Sequence, residues 1–357
     1  MKKIEIAVEP AYNVFIGENI LDKTGELLTA SKPGVSSVYI ITDDNVSALY
    51  LQRVKDSLTM FKTFQYILPH GEGSKSGVSL LKIVESMAKN QICRDDVIIA
   101  LGGGVVGDIA GFAAAVYLRG IDYVQVPTTF LSAIDSSVGG KTAVNLTAGK
   151  NLMGAFKQPL CVIFDPLTLN TLSDKVFADG TAEAIKYAVL KSPSLFETLS
   201  KTSRDSLMNI ISDIVSECVC IKGDIVSRDE FDRGERQLLN LGHTIGHAIE
   251  KCSNYEISHG HAIATGMAIM INGASKLALT SNIDIKRQIF SLLEKYFFKT
   301  TCEFSTDEIY NAVLSDKKRH SQNINIILPT QIGQCEIRKI TLETMKDIIR
   351  EGNFKNG

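Results

Sequence analysis

The chain has 357 residues, 45% of them hydrophobic, with 38 Lys and Arg against 40 Asp and Glu for a formal net charge of −2. That length accommodates about two domains with sizeable cores, and the balanced charge excludes the basic excess of a general nucleic-acid binder. Seven scattered cysteines with no CxxC pair read as reduced thiols of a cytoplasmic protein, and no run of about 18 uncharged apolar residues is available to span a membrane.

The start, MKKIEIAVEPAYNVFIG, alternates apolar and polar residues like a strand and lacks the uninterrupted apolar core of a signal peptide. Residues 35–44 are a β-rich run ending in acids. Residues 77–90 place apolar side chains at helical spacing. Residues 95–104 form a buried-strand run stopped by glycines, 105–120 read as a helix, and 122–135 as strand then loop. Such alternation predicts a mostly parallel sheet covered by helices. From about 173 onward, 176–192, 206–227 and the histidine-rich stretch all carry helical periodicity, and 325–341 reads as one late hairpin. The expected architecture is an α/β, Rossmann-like nucleotide-binding domain over 1–172 and a mainly α-helical metal- and substrate-binding domain over 173–357.

Gly102, Gly104 and Gly107 satisfy GxGxxG between a predicted strand and a predicted helix, where bare backbone N–H groups can approach a pyrophosphate. The acid usually found about 20 residues beyond is not obvious, since Asp122 lies only 15 past Gly107. Asp43, at an earlier strand end, is the candidate ribose partner instead. The loop HGEGSK (70–75) adds an acid and a lysine at fixed offset.

Four of the six histidines lie between 243 and 261. Histidine is the commonest zinc ligand and the side chain best suited to proton transfer near neutrality. His243 and His247 are four apart and share a helical face. HTIGH lacks the glutamate of the HExxH peptidases, so that chemistry is not expected. A third ligand is available from His259, His261 or Glu183, and spacing does not choose among them. Lys186 sits one turn beyond Glu183. Lys141 and Lys150 lie among small residues, Arg119 follows an apolar helix and Arg236 precedes the histidines. Lys222 and the 316–319 run add charge. Several cations in a near-neutral chain suit a small polyanion.

In their order and spacing, GEGSKS, GGGVVGD, RG at 119–120, PTT at 127–129, DSSVGGKTAVN, GKNLMGAF, AEAIKYA, LNLGHTIGHAIE, HG at 259–260 and DKK at 316–318 resemble the 3-dehydroquinate synthases of the sugar phosphate cyclase family, nearly end to end. The resemblance implies a lyase that uses NAD and one zinc or cobalt ion per chain. It would convert 3-deoxy-D-arabino-heptulosonate 7-phosphate to 3-dehydroquinate and phosphate, for aromatic amino acid biosynthesis. The implied course is transient NAD oxidation, phosphate elimination, re-reduction and intramolecular aldol closure.

Carried over by motif, the metal ligands are Glu183, His243 and His259, which leaves His247 on the substrate side. NAD falls to Asp43, Asn45, Glu72, Lys75, Gly103, Gly104, Val105, Val106, Gly107, Asp108, Thr128, Thr129, Lys141, Lys150, Thr168 and Thr171. Substrate falls to Asp135, Lys141, Lys150, Asn151, Lys186, Lys222, Arg236, Asn240, His247 and Lys317, with Lys318 the alternative to the last. Arg119 matches an arginine that reaches a neighbouring subunit, which implies a homodimer. Two departures stand out: His261 occupies a position where the family often has glutamate, and VFADGTAE precedes the Glu183 motif in place of a more usual acid and leucine. The rival readings are a cyclase acting on an uncarboxylated sugar phosphate, a metal-dependent polyol dehydrogenase that releases NADH, and a silent zinc-and-nucleotide binder.

Overall fold

A computed structural model describes residues 1–280, 283–316 and 322–353. The chain divides into two compact units, Met1–Leu172 with Val215–Phe231, and Ser173–Ile214 with Asp232–Gly357. The stretch Val215–Phe231, expected in the second domain, therefore groups with the first. Helical periodicity reports that a face is buried, not which core buries it.

The first unit contains β1 (Lys2–Ile6), β2 (Tyr12–Ile16), β3 (Ser37–Asp43), β4 (Lys62–Leu68), β5 (Val97–Gly102), β6 (Asp122–Pro127), β7 (Lys141–Leu146), β8 (Gly149–Phe156) and β9 (Cys161–Phe164). Seven of these form one sheet in the order β1-β2-β9-β6-β5-β3-β4. Every neighbouring pair is parallel except β1 with β2. The single strand expected at the start is thus two, separated around Pro10, which has no N–H to give to a ladder. β7 and β8 form a separate antiparallel hairpin that the sequence pattern did not announce.

Strand residues alternate between two cores. Tyr39, Ile41, Ile98 and Ala100 pack on one face with Ile109 and Phe112 of the helix Gly104–Val116. Val38, Ile40, Val97 and Ile99 pack on the other with Leu28 and Val54. Every residue of β5 is buried, as expected for a strand covered on both sides. Each such Val, Ile or Leu contributes about 1.5–3 kcal/mol by leaving water. The chain runs from β3 outward to β4 and returns to β5 on the other side of β3. The carboxyl ends of β3 and β5 therefore flank a topological switch point, the usual ligand crevice of open α/β sheets.

The second unit holds the helices Asp174–Lys191, His243–Cys252, His259–Lys276, Thr306–Asp316 and Leu342–Gly352, among others. The expected late hairpin is β10 (Asn323–Gln331) paired antiparallel with β11 (Gln334–Thr341). Ile245, Ile249, Ile269, Ile309, Ile326 and Ile348 share one core. No helix among the described residues is long and apolar enough to cross a membrane.

Candidate metal centre and nucleotide cradle

In the second unit, the helix Asp174–Lys191 is buried from Asp179 to Leu190, and Glu183 is fully enclosed at its centre. Two further helices, His243–Cys252 and His259–Lys276, run against each other at glycine. A Cβ on Gly266 would sit 2.3 Å from the Gly242 carbonyl oxygen and 2.6 Å from the Gly246 nitrogen. This backbone contact brings the first residues of both helices to Glu183.

Glu183 Oε1 lies 3.6 Å from His243 Nε2 and 3.5 Å from His259 Nε2. These separations are too long for good hydrogen bonds, and Glu183 Oε1 accepts none. They match the edge of a tetrahedron of donors, roughly 3.3–3.5 Å when each bond to zinc is about 2.0–2.1 Å. Glu183, His243 and His259 form one group able to hold an ion. Their outer partners suit that role. His243 Nδ1 faces the Leu241 carbonyl at 3.1 Å. His259 Nδ1 faces Glu250 Oε2 at 3.2 Å. Such contacts present Nε2 to a metal. Lys186, itself buried, pairs with the other Glu183 oxygen.

His247 is exposed and its ring centroid lies 5.3 Å from that of His243. It belongs to a second metal-capable group with Glu250 and His259, not to the Glu183 group. His261 is in neither. Its Nδ1 meets Ser258 and Asp179. Glu250 and Asp179 were missed in the sequence. The available signals were faint: Glu250 lies one helical heptad after His243, and Asp179 one turn before Glu183.

The two histidines of this group differ in proton affinity. Burial, then Lys186 and the neighbouring histidines, hold His243 well below its ordinary value, so it is neutral. Burial also disfavours charge on His259, but the carboxylates of Glu183 and Glu250 outweigh it and push the value up to about 10. The negative potential that keeps this proton is the one a divalent cation exploits. Loading the metal-free protein is therefore expected to release about one proton per ion, from His259 alone, and affinity should rise about tenfold per pH unit between about pH 6 and 8. Calorimetry in buffers of different ionisation heat measures the proton count. A count of zero or two would contradict this assignment.

In the first unit, β5 ends at Gly102 and the helix Gly104–Val116 starts with no side-chain cap, so its first N–H groups are open to an anion. Val106 and Gly107 are buried within that turn, while Gly103, Gly104, Val105 and Asp108 are partly accessible. Lys75 is 5% exposed, pairs with Asp108 and donates to Asn151 Oδ1 at 2.6 Å. Burial raises the Asp108 carboxyl, against the pull of Lys75. Asn145 links Glu72 to this group: its amide donates to Glu72 at 2.7 Å, and its oxygen accepts from the Asn151 N–H at 2.9 Å. Thr128 Oγ1 is buried with no hydrogen-bond partner, and Thr129 lies beside it, partly buried. Asp43 accepts from the Val46 N–H at 2.8 Å, and Asn45 is exposed next to it.

Lys222 is buried and donates to the Asp135 carbonyl at 2.6 Å while pairing with its carboxylate. Lys141 is exposed and Lys150 half-buried, at the two ends of the β7–β8 hairpin that also carries Asn151. The Thr168 hydroxyl donates to the Asp165 carbonyl, and Thr171 to that of Thr168, so both point into their own turn. In the second unit Arg236 is buried and Asn240 exposed. Arg119 is exposed just past the helix Gly104–Val116. Lys317 and Lys318 lie outside the described residues.

Residues 65–179 match the family described as 3-dehydroquinate synthase N-terminal, and 180–319 match 3-dehydroquinate synthase C-terminal. The chain is 41% identical over 353 residues to a 3-dehydroquinate synthase of Clostridium kluyveri, covering 96% of each. Among solved structures it is similar to 2-deoxy-scyllo-inosose synthase complexed with carbaglucose-6-phosphate, NAD+ and Co2+. That match has a TM-score of 0.89 at 26% identity, over 98% of this chain and 100% of the other. It shares its fold with the 2-epi-5-epi-valiolone synthase of Streptomyces hygroscopicus, bound to NAD+ and Zn2+, with a TM-score of 0.84 at 23% identity over 95% of each chain.

Proposed function

The chain belongs to the 3-dehydroquinate synthase family, and from this we infer that it converts 3-deoxy-D-arabino-heptulosonate 7-phosphate to 3-dehydroquinate and phosphate, a step of the shikimate pathway. The observation that carries this reading is the 41% identity across 353 residues. When bound, NAD supplies a reversible hydride acceptor and the divalent zinc or cobalt ion a Lewis acid.

Glu183, His243 and His259 would hold the ion, which would supply Lewis acidity toward substrate oxygens. The uncapped turn Gly103–Asp108 would hold the dinucleotide pyrophosphate through its N–H groups. Asp43 and Asn45 stand at the switch point for the adenosine ribose, and the unmatched Thr128 hydroxyl, with Thr129, suits a polar group of the cofactor. Glu72 and Lys75 border the same cradle. Thr168 and Thr171 border it through backbone and turn rather than through free hydroxyls. Lys141, Lys150, Asn151, Lys186, Lys222, Arg236, Asn240 and His247 bind the anionic substrate, with Asp135 orienting Lys222. The cations stabilise the departing phosphate. The substrate's own phosphate accepts the proton in the elimination, so no side chain is assigned as base.

Because hydride is returned within each cycle, phosphate should accumulate over many turnovers without matching NADH. Phosphate assay and absorbance, followed together with substrate, NAD and Co2+, test this directly. Stoichiometric NADH would favour the dehydrogenase reading instead, and product identification in the same mixture tests the named reaction.

Assembly as a cytoplasmic homodimer is part of the same reading. Arg119 is exposed, and both it and the preceding Leu118 have positive φ, at 67° and 48°. Left-handed backbone at two successive non-glycine residues is costly, and it is retained where a side chain must be presented. Light scattering should give about twice the 39.0 kDa chain mass.

A further inference from the structure

His261 follows ligand His259 by two residues yet turns away from the ligand group. Its Nδ1 lies 3.0 Å from Ser258 Oγ and 3.3 Å from Asp179 Oδ1, and its ring meets Phe298 edge-on at 5.3 Å. The same Asp179 oxygen accepts from the Ser258 hydroxyl at 2.7 Å, the Gly260 N–H at 2.9 Å and the His261 N–H at 3.3 Å.

Ser258 is the N-cap residue of the helix His259–Lys276, but its side chain does not cap that helix. A helix start leaves its first N–H groups without intrahelical partners. Here the acceptor comes from a different helix, the one that carries Glu183. Asp179 is only 12% exposed at its side chain, so water competes little for these bonds. The backbones also touch: a Cβ on Gly260 would lie 2.3 Å from Asp179 Cα and 2.4 Å from its carbonyl oxygen. Asp179 precedes Glu183 by one helical turn, and Gly260 follows His259 directly. The contact therefore fixes both ligands close to where they meet.

We propose that Asp179 is a positioning residue whose carboxylate clamps the start of the His259 helix to the Glu183 helix, presetting the ligand geometry, with His261 a member of the clamp and not a ligand. The inference rests on the ligand set assigned above. Metal sites need their ligands held to within about 0.5 Å, and loss of outer-shell partners typically weakens binding 10–100-fold.

The test is the Zn2+ or Co2+ dissociation constant, measured by competition with a chromophoric chelator, together with the visible spectrum of the Co2+ form. Asp179→Ala should weaken binding by about 10–100-fold and change the Co2+ bands. Asp179→Asn, which keeps a carbonyl acceptor, should restore most of the affinity. His261→Ala should still bind one ion per chain. Wild-type affinity and spectrum in Asp179→Ala, even with a lowered melting temperature, would reduce the contact to an ordinary helix cap and overturn the proposal. So would loss of stoichiometric binding in His261→Ala. Should Asp179→Ala not fold, the double variant Ser258→Ala/His261→Ala removes the side-chain donors alone. It should weaken binding roughly threefold or more, and unchanged binding there has the same overturning force. Glu183→Gln, run in parallel, separates the two levels: wild-type affinity in that variant would remove the ligand assignment itself.

Discussion

Replacing His243 or His259 with alanine is expected to leave a folded protein with no divalent ion and with turnover lowered by about a thousandfold or more. Two remaining ligands cannot hold a catalytic zinc against water, which needs three protein atoms, and Lewis acidity worth several kcal/mol goes with the ion. The two variants should differ in stability. His259→Ala leaves the Glu250 carboxylate, 6% exposed, without the imidazole nitrogen now 3.2 Å away. Loss of one partner of a buried carboxylate costs about 1–3 kcal/mol. The hydrogen-bond contact that His243→Ala gives up is with the Leu241 carbonyl, not with a carboxylate. The metal-free His259 variant should therefore melt below the metal-free His243 variant. Metal per chain by emission spectroscopy, phosphate release and thermal melts check all three statements. Full occupancy in both variants would remove the ligand assignment.

Lys222→Met should retain the ion and sharply reduce turnover of the heptulosonate phosphate, by about 10²–10³-fold. Methionine preserves the apolar stem that packs in the first unit, and no metal ligand is touched. What is lost is a buried ammonium held by Asp135. A site built for an anionic group loses several kcal/mol when its cation is removed. The converse holds for substrate. Sedoheptulose 7-phosphate and glucose 6-phosphate lack a carboxylate and would forgo its charge-assisted contact with Lys222, so the wild type should turn them over poorly. The structural likeness to 2-deoxy-scyllo-inosose synthase makes this the decisive comparison within the wider fold. Cyclisation of either uncarboxylated sugar phosphate as readily as the acid would place the activity with that branch.

The parts of the fold that were legible in the sequence are those whose burial leaves no ambiguity. β5 is an unbroken apolar run because both its faces are covered, and the glycines after it mark the end of the strand and an uncapped helix start. The β7–β8 hairpin was illegible because its burial does not alternate cleanly along β8, where Leu152, Met153 and Phe156 are interspersed with glycines and polar residues. Val215–Phe231 was misassigned because amphipathicity carries no address. In the candidate metal group, Glu183, His243 and His259 were singled out together only through the resemblance. Spacing alone favoured the His243–His247 pair, whereas the rings of His243 and His259 come together through two different helices. Glu250 and Asp179 stayed hidden for a related reason: an acid that orients a ligand through its far nitrogen or its backbone has no motif of its own.

The return of Val215–Phe231 to the first unit has a consequence for dividing the gene. Ile6 of the first strand reaches into the space above Gly223, where an added Cβ would lie 2.6 Å from its terminal methyl. A fragment stopped at Leu172 would expose that methyl to water and would lack Lys222, the partner of Asp135. Neither unit is a single uninterrupted length of polypeptide, so the two halves cannot be exchanged with those of a relative by one crossover at residue 172. A recombinant that joins two parents there inherits a first unit of mixed parentage. Its success depends on whether the 215–231 segment of one parent fits the sheet of the other.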